Sequence, residues 1–171
     1  MPDFGRADLL EPEALGEPGK RTFRVRVMSG ADAASLWLEK EQLAALTLAI
    51  RQLLEQTAEQ DTPTAAVEQA APPPFPAEAG VDFKIGRLGI GYDESRRMVT
   101  IFAYTVEDEE DAPPSFACRV SRAQCRSFAE RAEEVITAGR PVCILCGVPI
   151  DQGAHQCLRR NGHAERPLPT E

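Results

Sequence analysis

A chain of 171 residues with 43% hydrophobic side chains has the material for one core, or one core with a small appendage. Its formal net charge of −8 disfavours a protein whose main task is gripping nucleic-acid backbone, since phosphate binding needs a concentrated positive field. Apolar runs are broken by charges well before the roughly 18 residues of a membrane span. The opening, MPDFGRADLLEPEALGEPGK, lacks the basic-then-apolar profile of a secretory signal, so the expectation is a cytoplasmic protein.

Residues 1–20 read as an extended N-terminal segment. TFRVRV then alternates Phe23, Val25 and Val27 with Thr22, Arg24 and Arg26, the period-two pattern of a strand with one buried face. Residues 29–32 read as a turn and 33–38 as a second strand, together a hairpin. Trp37 stands opposite the Leu36 and Leu38 face, either as an exposed contact or packed beneath the linker that follows. From Glu39 the period changes. Leu43, Leu46, Ile50, Leu53 and Leu54 recur at three- and four-residue spacing and predict a helix running to about Thr57, which closes a first β-β-α unit over 21–57.

Residues 58–80 hold Pro72, Pro73, Pro74 and Pro76 with few large apolar side chains, the composition of an extended linker. A proline run can also dock in an aromatic groove, a rarer use. VDFKIGRLGIGYD predicts a strand with a phase slip at Gly86, because Phe83 and Ile85 lie on one parity and Leu88, Ile90 and Tyr92 on the other; a bulge would explain it. Gly86, Gly89 and Gly91 have neither the order of a dinucleotide fingerprint nor the lysine of a phosphate loop, so they read as bulge glycines. A turn over 93–96 leads into RMVTIFAYTV, apolar on both faces and hence a central strand. The acidic run 107–111 lacks the alternating oxygen ligands and central glycine of a calcium loop and reads as a solvated loop.

SFACRV turns Phe116, Cys118 and Val120 one way. Ser121 with Gln124 three residues on forms a capping box, and Phe128, Ala129, Ala132, Val135 and Ile136 line a second helix closed by Gly139 and Pro141, completing a second unit over 81–140. Ser121 is better explained as a cap than as a nucleophile, and Cys118 and Cys125 as small core fillers. Gln42 and Gln124 both fall on a first turn after a strand, which suggests two related halves. The expected fold is therefore α+β: an antiparallel sheet from two β-β-α units, both helices on one face, with a C-terminal zinc-knuckle appendage over 141–171.

That appendage carries the chemistry. CILCGVPIDQGAHQC holds three of the five cysteines and one of the two histidines in the chain. In a reducing compartment such a cluster points to metal before disulfides. Cys143 and Cys146 can aim both sulfurs at one ion, with Gly147 permitting the tight turn that turns backbone amides toward the thiolates. After a turn at 151–153, His155 and Cys157 sit two apart on an extended segment and supply the other two ligands; Cys157 with His163 is the rival pairing. Mixed thiolate and imidazole ligation at tetrahedral count suits zinc, Zn2+. Four protein ligands would close the site as a structural one, whereas catalysis would need an open position and a base such as Glu165. Between residues 140 and 166 four arginines face Asp151 and Glu165, a local +2 that leaves −10 for the rest of the chain.

GEPGKRTFRVRV, LWLEKEQLAAL, RAQCRSFAERAEEVITAGRPVC and CILCGVPIDQGAHQC followed by RRNGH resemble, in that order and over nearly the whole chain, a bacterial family known as domain of unknown function number three thousand and ninety. Its tail typically runs Cys-x2-Cys-Gly, a turn, then Gly-His-x-Cys; here Ala154 is inserted between Gly153 and His155. The resemblance implies a small bacterial cytosolic protein. Because the place of His163 is often tyrosine in that family, it also implies His155 as the ligand.

The expected function is a non-enzymatic binding or adaptor protein with a structural zinc, presenting Arg159, Arg160 and Arg166 to an acidic partner, protein or nucleic acid. A zinc-dependent or cleft-based hydrolase and a nucleic-acid-binding zinc ribbon are the alternatives. A charged pocket beside the metal would favour the first. Salt-sensitive retention of RNA or DNA would favour the second.

Overall fold

A computed structural model describes residues 3–17, 20–58, 74–138 and Cys146. The chain forms two compact units, Met1–Ile136 and Thr137–Glu171. All strands and the first helix lie in the first unit, and the second helix ends at its boundary. In order the elements are β1 (Asp3–Arg6), β2 (Leu9–Leu15), β3 (Thr22–Ser29), β4 (Asp32–Leu38), α1 (Lys40–Gln56), β5 (Val81–Asp93), β6 (Met98–Thr105), β7 (Phe116–Ser121) and α2 (Arg122–Thr137).

The seven strands lie in the order β1-β7-β6-β5-β4-β3-β2. The expectation of a purely antiparallel sheet is corrected: β1 pairs with β7 and β4 with β5 in parallel. The cause is an exchange between the halves. β5 begins against β4 through residues 81–84, slips register between Ile85 and Arg87, and continues against β6. That slip is the bulge expected at Gly86, where an added Cβ would lie 2.6 Å from the Thr105 carbonyl oxygen. The segment 1–20, read only as extended, contains two strands with the same habit. β1 runs beside β7, the chain bends at Ala7 and Asp8, and β2 pairs with β3. Ala7 N–H donates to the Arg119 carbonyl and Asp8 N–H to that of Met28, so this bend joins the two ends of the strand order through one stretch of chain.

Both hairpins turn where expected. Gly30 takes φ 58° between β3 and β4, and Arg97 takes φ 52° between β5 and β6. The helix starts follow the capping boxes: Glu39 N–H donates to Gln42 Oε1 at 2.8 Å and Ser121 N–H to Gln124 Oε1 at 2.9 Å. Leu43, Leu46 and Ile50 of α1 and Cys125, Phe128, Ala129 and Ala132 of α2 are buried in one cluster with Val25, Val27, Leu36, Ile85, Ile101 and Phe116. The helices also touch each other. Arg51 pairs with Glu133 at 2.7 Å, and buried Arg122 donates to the Leu54 carbonyl at 3.1 Å and to Thr57 Oγ1.

Trp37 packs with the end of the linker. The Arg24 guanidinium lies 5.3 Å from the Trp37 ring centre and 5.6 Å from that of Phe75, and Arg26 lies 5.4 Å from Phe75. Trp37 Nε1 donates to Asp82, while Glu11 and Glu13 on β2 pair with Arg26 and Arg24. The charged parity of β2 and β3 thus closes on itself beneath Phe75. The rest of the proline-rich stretch, residues 59–73, lies outside the described residues.

Candidate functional site

Gln42 does two jobs. Its Oε1 caps α1, and its Nε2 donates to the carbonyls of Ile85 and Gly86 at 3.3 and 3.1 Å. The first turn of the helix is thereby pinned to the bulge of β5. Downstream of this pin the two elements part around a cleft of about 340 Å³. From α1 it is lined by Gln42, Ala45, Leu46 and Ala49, which share one helical face, and from β5 by residues 86–90. Small side chains on the helix, Ala45 and Ala49, keep it open. Gly89 and Gly91 also leave room on the other face for the Phe102 ring, whose nearest atoms would sit 3.8 and 3.4 Å from their added Cβ atoms.

The lining is apolar, and its polar side chains are committed. Gln42 is spent on the cap and the bulge. Arg87 stacks 4.0 Å from the Tyr104 ring centre and donates to the carbonyls of Glu110 at 2.8 Å and Glu109 at 3.4 Å. What remains is backbone. β5 pairs with β4 only through residues 81–84, so past the bulge its second edge, over 88–91, has no strand partner among the described residues.

Gln124 repeats the arrangement in the other half, donating through Nε2 to the Ala7 carbonyl at 2.8 Å. Ala7 thus corresponds to Ile85, both 1% exposed. Counting on from these two anchors sets Phe128 where Leu46 stands and Pro12 where Ile90 stands. In that half the bulky Phe128 ring is fully packed, and the strand edge carries a proline with no N–H between Glu11 and Glu13. One half has a filled seam and a guarded edge. Among the described residues the other has neither.

Cys118 and Cys125 are buried core residues, as their positions predict. Burial pushes both thiols up to about 12, with the neighbouring Cys125 adding to the shift of Cys118. The acidic run is a closed loop: Asp108 Oδ2 accepts from Ser115 Oγ and from Thr105 N–H, each at 2.6 Å. These bonds hold its carboxyl below the usual value of 3.8. Among the described residues no group of three or more His, Cys, Asp or Glu side chains could hold a metal, and no helix is long and apolar enough to cross a membrane. Cys143, His155, Cys157, His163, Arg159, Arg160 and Arg166 lie outside the described residues, and half-buried Cys146 is the one member of the tail cluster within them. The cleft was missed by sequence reasoning, although Ala45 and Ala49 at helix spacing were its signal.

Fold and cleft together define a mixed α+β protein of two interlocked halves, one of which, among the described residues, keeps an open apolar seam beside an unpaired strand edge. Residues 3–157 match the family described as "Protein of unknown function (DUF3090)", and the chain belongs to that family. No curated protein and no solved structure matches it.

Proposed function

We propose that this chain is a non-enzymatic binding or adaptor protein of the cytoplasm whose tail is folded by one structural zinc held by Cys143, Cys146, His155 and Cys157. The observation that carries the reading is the ligand spacing itself: a Cys-x2-Cys-Gly knuckle and a His-x-Cys pair within 15 residues, enough to close a tetrahedral site without water. The family match, over residues 3–157, spans all four of these positions. The body before the tail is a core complete in itself, so the metal is needed only for a segment too short and polar to fold alone. Closing it would present Arg159, Arg160 and Arg166 as a small basic surface on an otherwise acidic chain, suited to an acidic partner, protein or nucleic acid.

Metal content of protein purified without added metal tests the proposal, comparing the wild type with Cys146→Ser, His155→Ala and His163→Ala. The expected result is about one zinc per chain in the wild type and in His163→Ala, lost in the other two. A metal-free wild type would overturn it. Loss in His163→Ala but not in His155→Ala would replace His155 by its rival.

A further inference from the structure

We infer that the cleft between α1 and the 88–91 edge of β5 receives an extended peptide segment of a partner protein, aliphatic and basic in alternation, which adds to β5 as a strand. The inference does not rest on the zinc reading.

Three observations converge on that occupant. The first is what the cleft leaves unsatisfied. Its polar side chains are engaged within the fold, while alternate residues of a strand edge that no described strand pairs with offer N–H and C=O groups outward at peptide spacing. The chemistry that answers such a row is another backbone. The added strand would continue a pairing line already present, because β4 occupies the same edge of β5 as far as Lys84 and the cleft opens where β4 ends.

The second is shape. A volume of about 340 Å³ lined by alanines, glycines, Leu46, Leu88 and Ile90 takes aliphatic side chains and not large polar ones. Leu48, one helical step from Ala45 and 58% exposed, extends the apolar rim. The related seam in the other half shows what a closed version looks like, with Phe128 packed in and Pro12 on the strand.

The third is charge. By holding the carbonyls of Glu109 and Glu110, Arg87 ties the acidic loop to the strand that forms the cleft, with the side chains of Glu107, Glu109, Glu110 and Asp111 exposed. A strand that buries every second side chain turns the others out past this loop. Lysine or arginine there is complementary.

The test is amide-resolved NMR of the full chain titrated with a blocked peptide of alternating lysine and valine. Shifts at residues 88–91 and along the Ala45 and Ala49 face are expected, with affinity at least about tenfold weaker in Ala45→Trp and Ala49→Trp. Ala45 is exposed, so that variant keeps the fold if the more enclosed Ala49→Trp does not. N-methylation of all valines or of all lysines blocks one backbone edge each; one of the two peptides should lose binding and the other keep it. A glutamate-for-lysine peptide should bind more weakly. Silence at 88–91, equal binding by both methylated peptides, or equal binding of the glutamate peptide would overturn the inference. So would shifts at those amides on raising protein concentration without peptide, which would make a second copy of the chain the occupant.

Discussion

Gln124 reaches from the first turn of α2 to the carbonyl of Ala7, 117 residues away in the chain, at 2.8 Å. Gln42 makes the corresponding reach from α1 to Ile85. Each glutamine closes its own helix with one end of its amide and anchors the other half of the molecule with the other. Replacing either by methionine keeps the volume and removes every hydrogen bond of the side-chain amide, leaving a carbonyl of the other half bare. Gln42→Met and Gln124→Met should each lower unfolding free energy by about 1–3 kcal/mol. The two share no partner, so the double variant should lose the sum within about 0.5 kcal/mol. Urea unfolding of the four proteins measures this.

Arg122 opens α2 and ends α1. It is 7% exposed, and its guanidinium donates to the Leu54 carbonyl and Thr57 Oγ1 at the C-terminus of α1, a helix with no basic residue in its own last turn. The charge meets the negative end of the helix dipole while its donors satisfy terminal groups. Arg122→Met should cost about 2–3 kcal/mol in the same unfolding assay. Arg122→Lys should recover only part, because an ammonium lacks the planar fork that serves two acceptors.

Cys118 and Cys125 should resist thiol reagents in the native state. With thiols pushed from 9.0 up to about 12, almost no thiolate forms near neutral pH, and both sulfurs are enclosed. Alkylation monitored by mass should label them only at the rate of unfolding. Their linkage to pH has a definite sign: neutral thiols are favoured in the fold, so stability is unaffected below 9.0 and falls as pH rises from there toward about 12. Cys118→Val should flatten that alkaline limb.

The acid limb belongs in part to Asp108. Its carboxylate is favoured in the fold by Ser115 and Thr105, so its contribution is complete above the unfolded value of 3.8 and is lost as pH falls through the lower folded one. Asp108→Asn should be less stable than wild type at neutral pH, and the gap should narrow below pH ~4 in acid titration followed by circular dichroism.

Most local structure was legible in the sequence because it obeys local rules. The alternation of Phe23, Val25 and Val27, the spacing of Leu43, Leu46 and Ile50, the capping glutamines and the phase slip at Gly86 each depend on residues a few positions apart. β1 and β2 were harder to read. Pro12 sits inside β2, where it looks like a break, and only the edge position of that strand makes it tolerable. The cleft was illegible for a related reason: Ala45 and Ala49 are unremarkable singly, and their joint meaning appears once α1 is laid beside β5.

By itself the sequence determined the elements from β3 onward, their turns and the ligand spacing of the cysteine tail, all of which follow from side-chain period and short-range stereochemistry. Tertiary structure alone decided that each half lends its leading strand to the other, that Phe75 returns over Arg24 and Arg26, and that, among the described residues, one seam is filled while its counterpart stands open. Those outcomes depend on which surfaces meet across dozens of residues, and packing at that distance is set by the whole core rather than by any local pattern.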